Sequence, residues 1–187
     1  MRRITLLGVA AVMVSVLAAS GVALAMTINC TANVRCNGTN NNDTMSGSTG
    51  TDSMFGRGGN DTMKGKGGTD DMYGGTGADK VIGGPASDPF LWGGTNGNDN
   101  YPDNSDDTVY GALGNDLIFG GFGQGGVDHV FGNDGNDTII VAQRANNTDP
   151  DVKVTKEVVD CGAGDDTVYR DKDKDVIANN CEVKKSG

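Results

Sequence analysis

The sequence predicts an all-β solenoid, and three regularities between Gly38 and Leu91 predict it. Aspartate returns every nine residues, at Asp43, Asp52, Asp61, Asp70, Asp79 and Asp88. An apolar residue follows each by two, at Met45, Met54, Met63, Met72, Val81 and Phe90. Glycine precedes each by five, at Gly38, Gly47, Gly56, Gly65, Gly74 and Gly83, with a second glycine three further on at Gly50, Gly59, Gly68 and Gly77. The unit is G-x-x-G-x-D-x-U-x, U being apolar. Self-similarity at a fixed short period marks a stacked-repeat architecture, in which no repeat buries its apolar side chain without a neighbour.

Each residue type in the unit has a physical task. Glycines at positions 1 and 4 allow positive φ and close backbone approach, so the chain turns sharply with carbonyls inward. Aspartate at position 6 adds a short, charged oxygen to that carbonyl cradle, a donor set suited to a hard cation such as calcium. Positions 7 to 9 read as a very short strand with one inward side chain. The pattern resembles the haemolysin-type calcium-binding (RTX) nonapeptide repeat, most closely at Gly65-Lys-Gly-Gly-Thr-Asp-Asp-Met-Tyr73 and Gly74-Gly-Thr-Gly-Ala-Asp-Lys-Val-Ile82. The resemblance implies a right-handed parallel β-roll of about 12–13 nonapeptide repeats, two to a coil. Repeat n then stacks on repeat n+2, with Asp52 near Asp70 and Asp61 near Asp79, and several calcium ions sit between the stacked turns. A core this thin makes metal-binding free energy part of the folding free energy. Composition alone, with a net charge of −10, would suit a disordered linker. The apolar residue held in phase with the aspartate argues against that.

Residues 1–25 read as a cleavable secretory signal. Arg2 and Arg3 supply the charged start, Ile4 to Ala19 is nearly all apolar or small, and Ala23-Leu24-Ala25 is an A-x-A site. No other stretch approaches the ~20 apolar residues of a membrane span. Residues 26–37 form an N-terminal cap before the repeats of 38–141. The four cysteines fall into two local pairs, Cys30/Cys36 and Cys161/Cys181. In an exported chain an even count indicates disulfides. A stack of coils at ~4.8 Å strand spacing puts roughly 30 Å between its ends, too far for a bridge. The expected pairs are therefore Cys30–Cys36 and Cys161–Cys181, one closing each end.

Beyond Leu91 the register loosens. Asp99 belongs to a repeat displaced by two residues, and Asp107 with Val109 follows after eight. Asp116 with Ile118 comes after nine, Asp128 with Val130 after twelve because of extra residues in Gly120–Gly126, and Asp137 with Ile139 after nine. Residues 142–157 form an insertion loop. The grid resumes at Glu157/Val159 and at Asp166 with Val168, and the final repeats and C-terminal cap occupy 158–187. In the Gly83–Leu91 repeat Ala86 replaces the second glycine and Pro89 follows the aspartate, which makes Asp88 a poor expected ligand. The ligand set is Asp43, Asp52, Asp61, Asp70, Asp79, Asp99, Asp107, Asp116, Asp128, Asp137 and Asp166. Asp171 to Asp175 with Glu182 imitates EF-hand spacing, but Val176 stands where that loop needs glycine.

Of 25 acidic residues only Glu157 and Glu182 are not aspartate, a skew toward turns and ligands. The negative balance argues against nucleic acid, which needs basic patches. His129, the sole histidine, falls on a solvent-facing position without a partner to orient it. No H-E-x-x-H, G-x-S-x-G or P-loop occurs, and signal, repeats and caps leave no room for an enzyme. The expected function is a secreted, calcium-binding structural or adhesion module. A cell-surface or matrix partner would engage loops at Trp92–Asp106 or Ala142–Lys156; Trp92, Tyr101 and Phe122 cluster around the insertions and are expected to pack under the irregular loops rather than to form an aromatic ligand patch. Two alternatives are an accessory or hydrolase-associated module and an ice-binding solenoid. The second needs a regular threonine array, whereas position 7 runs Thr44, Ser53, Thr62, Asp71, Lys80, Pro89.

Overall fold

The computed structural model describes residues 24–95, 103–121, 126–141, 155–170 and 175–186. The expected leader before Leu24, Asp99, Tyr101, Phe122, and residues 142–154 of the insertion loop lie outside these. In chain order the strands are β1 (Thr27–Asn29), β2 (Arg35–Asn37), β3 (Thr44–Ser46), β4 (Ser53–Gly58), β5 (Thr62–Lys64), β6 (Asp71–Thr76), β7 (Lys80–Gly84) and β8 (Phe90–Trp92). They continue as β9 (Thr108–Leu113), β10 (Leu117–Phe119), β11 (His129–Asp134), β12 (Thr138–Ile140), β13 (Val158–Ala163), β14 (Thr167–Arg170), β15 (Val176–Ile177) and β16 (Val183–Ser186). Odd-numbered strands make one eight-stranded sheet and even-numbered strands the other. Every neighbouring pair is parallel. The chain is a β-roll, alternating between the sheets at each nonapeptide. No described helix is long and apolar enough to cross a membrane.

Strand alternation sends position 8 inward. On one sheet Met45, Met63, Val81, Val109, Val130 and Val159 stack one above another; on the other, Met54, Met72, Leu91, Ile118, Ile139 and Val168 do so. All twelve are buried. Early coils use methionine, which adapts to irregular space, and later ones use β-branched residues suited to pleated strands. Cys30–Cys36 closes the first coil, with Cα atoms 5.5 Å apart, and Cys161–Cys181 closes the last, with Cα atoms 5.2 Å apart. These are the pairs expected from the sequence. Such end closures suit a solenoid, whose terminal coils lack one neighbour.

One core assignment is corrected. Leu91, not Phe90, continues the inner column: Leu91 is 0 % exposed and Phe90 39 %. The cause is Pro89. In eleven other repeats the residue after the acidic one donates its N–H to a carbonyl of the preceding coil, as Lys80 does to Asp61 O and Leu117 to Asp88 O. Proline has no N–H to give. Pairing resumes one residue later, with Phe90 opposite Asp71, and every later side chain of the strand changes face.

The outer face of the even-numbered sheet carries an aromatic column at position 9. Phe55 stacks on Tyr73 at 4.9 Å, Tyr73 on Trp92 at 6.1 Å and Trp92 on Phe119 at 3.9 Å between ring centroids. Arg35 caps the column, its guanidinium 4.0 Å from the Phe55 ring centre. Trp92 thus packs along the sheet rather than under the irregular loops.

Candidate metal centre

The aspartates form two continuous ladders at the turns. From Asp61 and Asp70 onward each Oδ1 accepts the backbone N–H of the acidic residue one coil earlier; Asp43 Oδ1 accepts the Met26 N–H (3.0 Å), and Asp52 Oδ1 is buried without a partner. In one column Asp61 Oδ1 receives the Asp43 N–H (2.7 Å), Asp79 that of Asp61 (2.7 Å), Asp107 that of Asp79 (2.8 Å) and Asp128 that of Asp107 (3.0 Å). The other column runs Asp52 to Asp70 (2.9 Å), Asp70 to Asp88 (2.8 Å), Asp88 to Asp116 (2.8 Å), Asp116 to Asp137 (2.9 Å) and Asp137 to Asp166 (2.8 Å). Glutamates occupy the last rungs: Glu157 takes the Asp128 N–H and Glu182 that of Asp166. Asp175 receives the N–H of Glu157 (3.2 Å), so it extends this ladder.

The structure brings together every described member of the expected ligand set and adds Asp88. That residue, expected to be poor, is buried and holds a rung like the others. Asp79 bonds directly to Asp107 in the ladder, and Asp99 lies outside the described residues.

The second carboxylate oxygen divides the rungs into two kinds. Asp43 Oδ2 is satisfied within its own turn, by the Thr39 N–H at 2.6 Å and the Thr39 hydroxyl at 3.0 Å. Asp52 Oδ2 is satisfied likewise by Ser48, at 2.6 and 3.0 Å. In contrast, Oδ2 of Asp61, Asp70, Asp79, Asp88, Asp116, Asp137 and Asp166 is buried without a hydrogen-bond partner. The difference follows backbone conformation. All seven open turns have positive φ at position 2, at Arg57, Lys66, Gly75, Gly84, Ala112, Asn133 and Gly162. Thr39 and Ser48 do not. A positive φ turns the position-2 N–H away from the carboxylate, so the oxygen has no donor.

Six of the open oxygens, on Asp61, Asp70, Asp79, Asp88, Asp116 and Asp137, face a space that position-1 glycine creates, whereas Cys161 holds position 1 before Asp166. A Cβ on Gly74 would lie 2.6 Å from Asp79 Oδ2 and would collide with the carbonyl of Gly93. On Gly111 it would lie 2.7 Å from the carbonyl of Gly132 and would collide with Asp116 Oδ2. Position 1 therefore needs glycine for close approach, while the positive φ expected there occurs at positions 2 and 4 instead. Each space is bounded by one carboxylate oxygen and one carbonyl oxygen of the next coil. Hard cations take this donor chemistry. Among the described residues no three His, Cys, Asp or Glu side chains already form a metal cluster. Backbone carbonyls supply the remaining oxygen.

Without a cation these carboxylates resist ionisation. Burial pushes Asp61, Asp70 and Asp137 up to about 6, Asp88, Asp116 and Asp128 to about 7, Asp79 to about 8 and Asp107 to about 10. The donated N–H opposes the shift, and neighbouring carboxylates reinforce it. Stacked negative charge in a water-poor turn needs either protons or a metal.

A family model for the RTX calcium-binding nonapeptide repeat matches the chain in four copies, at residues 37–72, 64–88, 103–125 and 122–141. The chain carries RTX calcium-binding nonapeptide repeats over residues 37–88 and 103–141. RTX repeats bind calcium, and the buried oxygen ladder fits that ion. A comparison with characterised proteins found no match. The matched segments omit 89–102, where Pro89 and the insertion interrupt the RTX register.

Sequence reading missed three features. The Thr39/Asp43 and Ser48/Asp52 pairs were visible as hydroxyl and carboxylate four residues apart, a local turn signal. Asparagines at position 5 form their own outer ladder: Asn42 accepts the Asn60 N–H (2.8 Å), and Asn115 that of Asn136 (2.8 Å). That ladder explains the recurring Asn-Asp pair. The third, Asp103, is buried in the insertion, outside the nine-residue count.

Proposed function

We propose that the chain is an exported structural or adhesion module that folds as calcium enters its turns. The observation that carries this reading is the row of seven buried Oδ2 atoms without donors, six of them shown beside a carbonyl of the next coil. Calcium would supply the missing partner and cancel repulsion along the ladder, giving several ions per chain. Asp43, satisfied through both oxygens, holds the first coil without metal, and Asp52 has its Oδ2 met by Ser48. The two disulfides suit an oxidising compartment. The charged and apolar N-terminal segment suits export by a cleavable signal. Extracellular calcium modules commonly bind at ~10⁻⁴–10⁻³ M, so the chain would fold after leaving the cell. The ladder's aspartates are structural in this reading, with no catalytic role. Ice binding is disfavoured because the outward column Thr27, Thr44, Thr62 is broken at Lys80, and Thr108 is followed by His129.

The test is far-UV circular dichroism of residues 26–187 after chelation, titrated with calcium and separately with magnesium. The expected result is a cooperative gain of β signal with calcium and little with magnesium. A spectrum indifferent to calcium would overturn the reading.

A further inference from the structure

Where β9 begins, the ladder differs from every regular turn. Asp103, an insertion residue, stands four before Asp107 in the sequence. It is 5 % exposed. Its Oδ1 accepts the N–H groups of Gly77 (3.3 Å) and Ser105 (3.2 Å), which fixes the carboxylate. Its Oδ2 is buried without a partner. Asp103 and Asp107 Oδ2 lie 2.9 and 3.2 Å from where a Cβ on Gly94 would stand. Asp107 and Asp128 Oδ2 lie 3.6 and 3.0 Å from where a Cβ on Gly121 would stand. These side chains, with Thr155 and Glu157, line a partly enclosed cavity of about 10 Å³, room for a single ion or water. No basic side chain lines it.

We propose that this cavity is a dedicated calcium site, made by adding Asp103 to the Asp107 and Asp128 rungs and tighter than the regular repeat turns. The inference rests on the calcium reading above and adds a site that the nonapeptide pattern does not encode. Asp103 gives the Asp107 rung an additional carboxylate beside its stacked neighbour Asp128. Calcium affinity rises with the number of charged ligands and with site rigidity. A turn with a single open carboxylate and carbonyls binds more weakly than a fixed, partly enclosed group of three. The carboxylates ring the space without yet closing to ligand distance. Oxygens from water or backbone complete the shell, as calcium's six to eight ligands require. The site joins the insertion after β8 to the segment before β13, so loading it ties both irregular segments to the roll.

Trp92, the only tryptophan, lies two residues before Gly94 and offers a local reporter. Terbium, an oxygen-seeking calcium surrogate, is titrated into the chelated, disulfide-intact chain with tryptophan-selective excitation. The expected result is a sensitised phase at a metal concentration below that of the cooperative β transition, reversed by calcium. Asp103→Asn keeps the Oδ1 acceptor and removes the charge; it weakens that phase roughly tenfold or more while calcium still folds the roll. Gly94→Ala, which puts a methyl beside Asp103 and Asp107, has the same effect. Asp116→Asn, at a regular turn, leaves the early phase in place. A single uniform phase in the wild type, or an early phase unchanged in Asp103→Asn, overturns the site while leaving the calcium roll standing. Absence of calcium binding by any form overturns both.

Discussion

At the residue scale, one question decides the chemistry of each turn: where the position-2 N–H points. Asp43 and Asp61 occupy equivalent rungs of one ladder, but Thr39 satisfies Asp43 Oδ2 and nothing satisfies Asp61 Oδ2. Asp61→Asn is therefore expected to lower the bound calcium by about one ion and to raise the calcium needed for folding, since a neutral amide is a weaker ligand for a hard cation. Asp43→Asn is expected to leave the ion count unchanged and to cost about 1 kcal/mol through weaker hydrogen bonds. Counting ions by equilibrium dialysis separates the two, and equal losses would refute the division into open and closed rungs. The open turns also hold residues with a Cβ in the left-handed region, Ala112 at φ 88° and Lys66 at φ 79°. That conformation costs an L-residue about 1–2 kcal/mol, partly offset by the greater freedom glycine gives the unfolded chain. Ala112→Gly is accordingly expected to stabilise the calcium-loaded chain by about 0.5–1 kcal/mol in denaturant melts. A loss of stability would show that the methyl's contacts outweigh the strain.

At the element scale, strands this short have little register memory of their own, so backbone hydrogen bonds set it. Pro89 shows the consequence: one missing donor moves the core residue from Phe90 to Leu91. Deleting Pro89 puts leucine two residues after Asp88 and gives phenylalanine an N–H for the carbonyl of Asp70. The deletion is expected to keep stability within about 1 kcal/mol of the wild type, or to raise it, by making good a lost backbone bond. Inserting alanine after Asp70 turns Met72 outward and is expected to cost about 2–5 kcal/mol, the range for losing a buried methionine. Thermal melts in excess calcium compare them; equal damage from both would show that Pro89 is not the source of the slip. Strand position, coil stacking and both disulfides were legible in the sequence, because a nine-residue period leaves little freedom to place Met45 under Met63. The slip at Pro89 was not legible from spacing, because counting residues ignores which N–H groups exist to pair. The closed state of Asp43 and Asp52 depends on φ at Thr39 and Ser48, which residue type alone does not fix.

At the scale of the molecule, the roll is a stack of like charges and protons compete with calcium for it. Asp61, Asp70, Asp79, Asp88, Asp116 and Asp137 rise from 3.8 to between about 6 and about 8, with burial as the first cause. Groups that bind protons more tightly when folded than unfolded stabilise the fold fully below the unfolded value and lose that contribution as pH climbs through the folded one. The calcium-free roll should therefore be most structured near about pH 4 and lose β signal between about pH 6 and pH 8. Calcium requires the ionised form, so its dependence runs the other way: affinity falls as pH drops through the same window, and binding near neutrality releases protons. At about pH 8 a chelated sample should be unfolded and refold on calcium; at about pH 4 it should keep part of its β signal whether or not calcium is present. Circular dichroism across pH with and without chelator measures both limbs, and proton uptake into two buffers of different ionisation enthalpy measures the exchange by calorimetry. Calcium binding that released no protons near neutrality would mean that the ladder is already ionised in the free chain, so that repulsion between coils alone keeps it open.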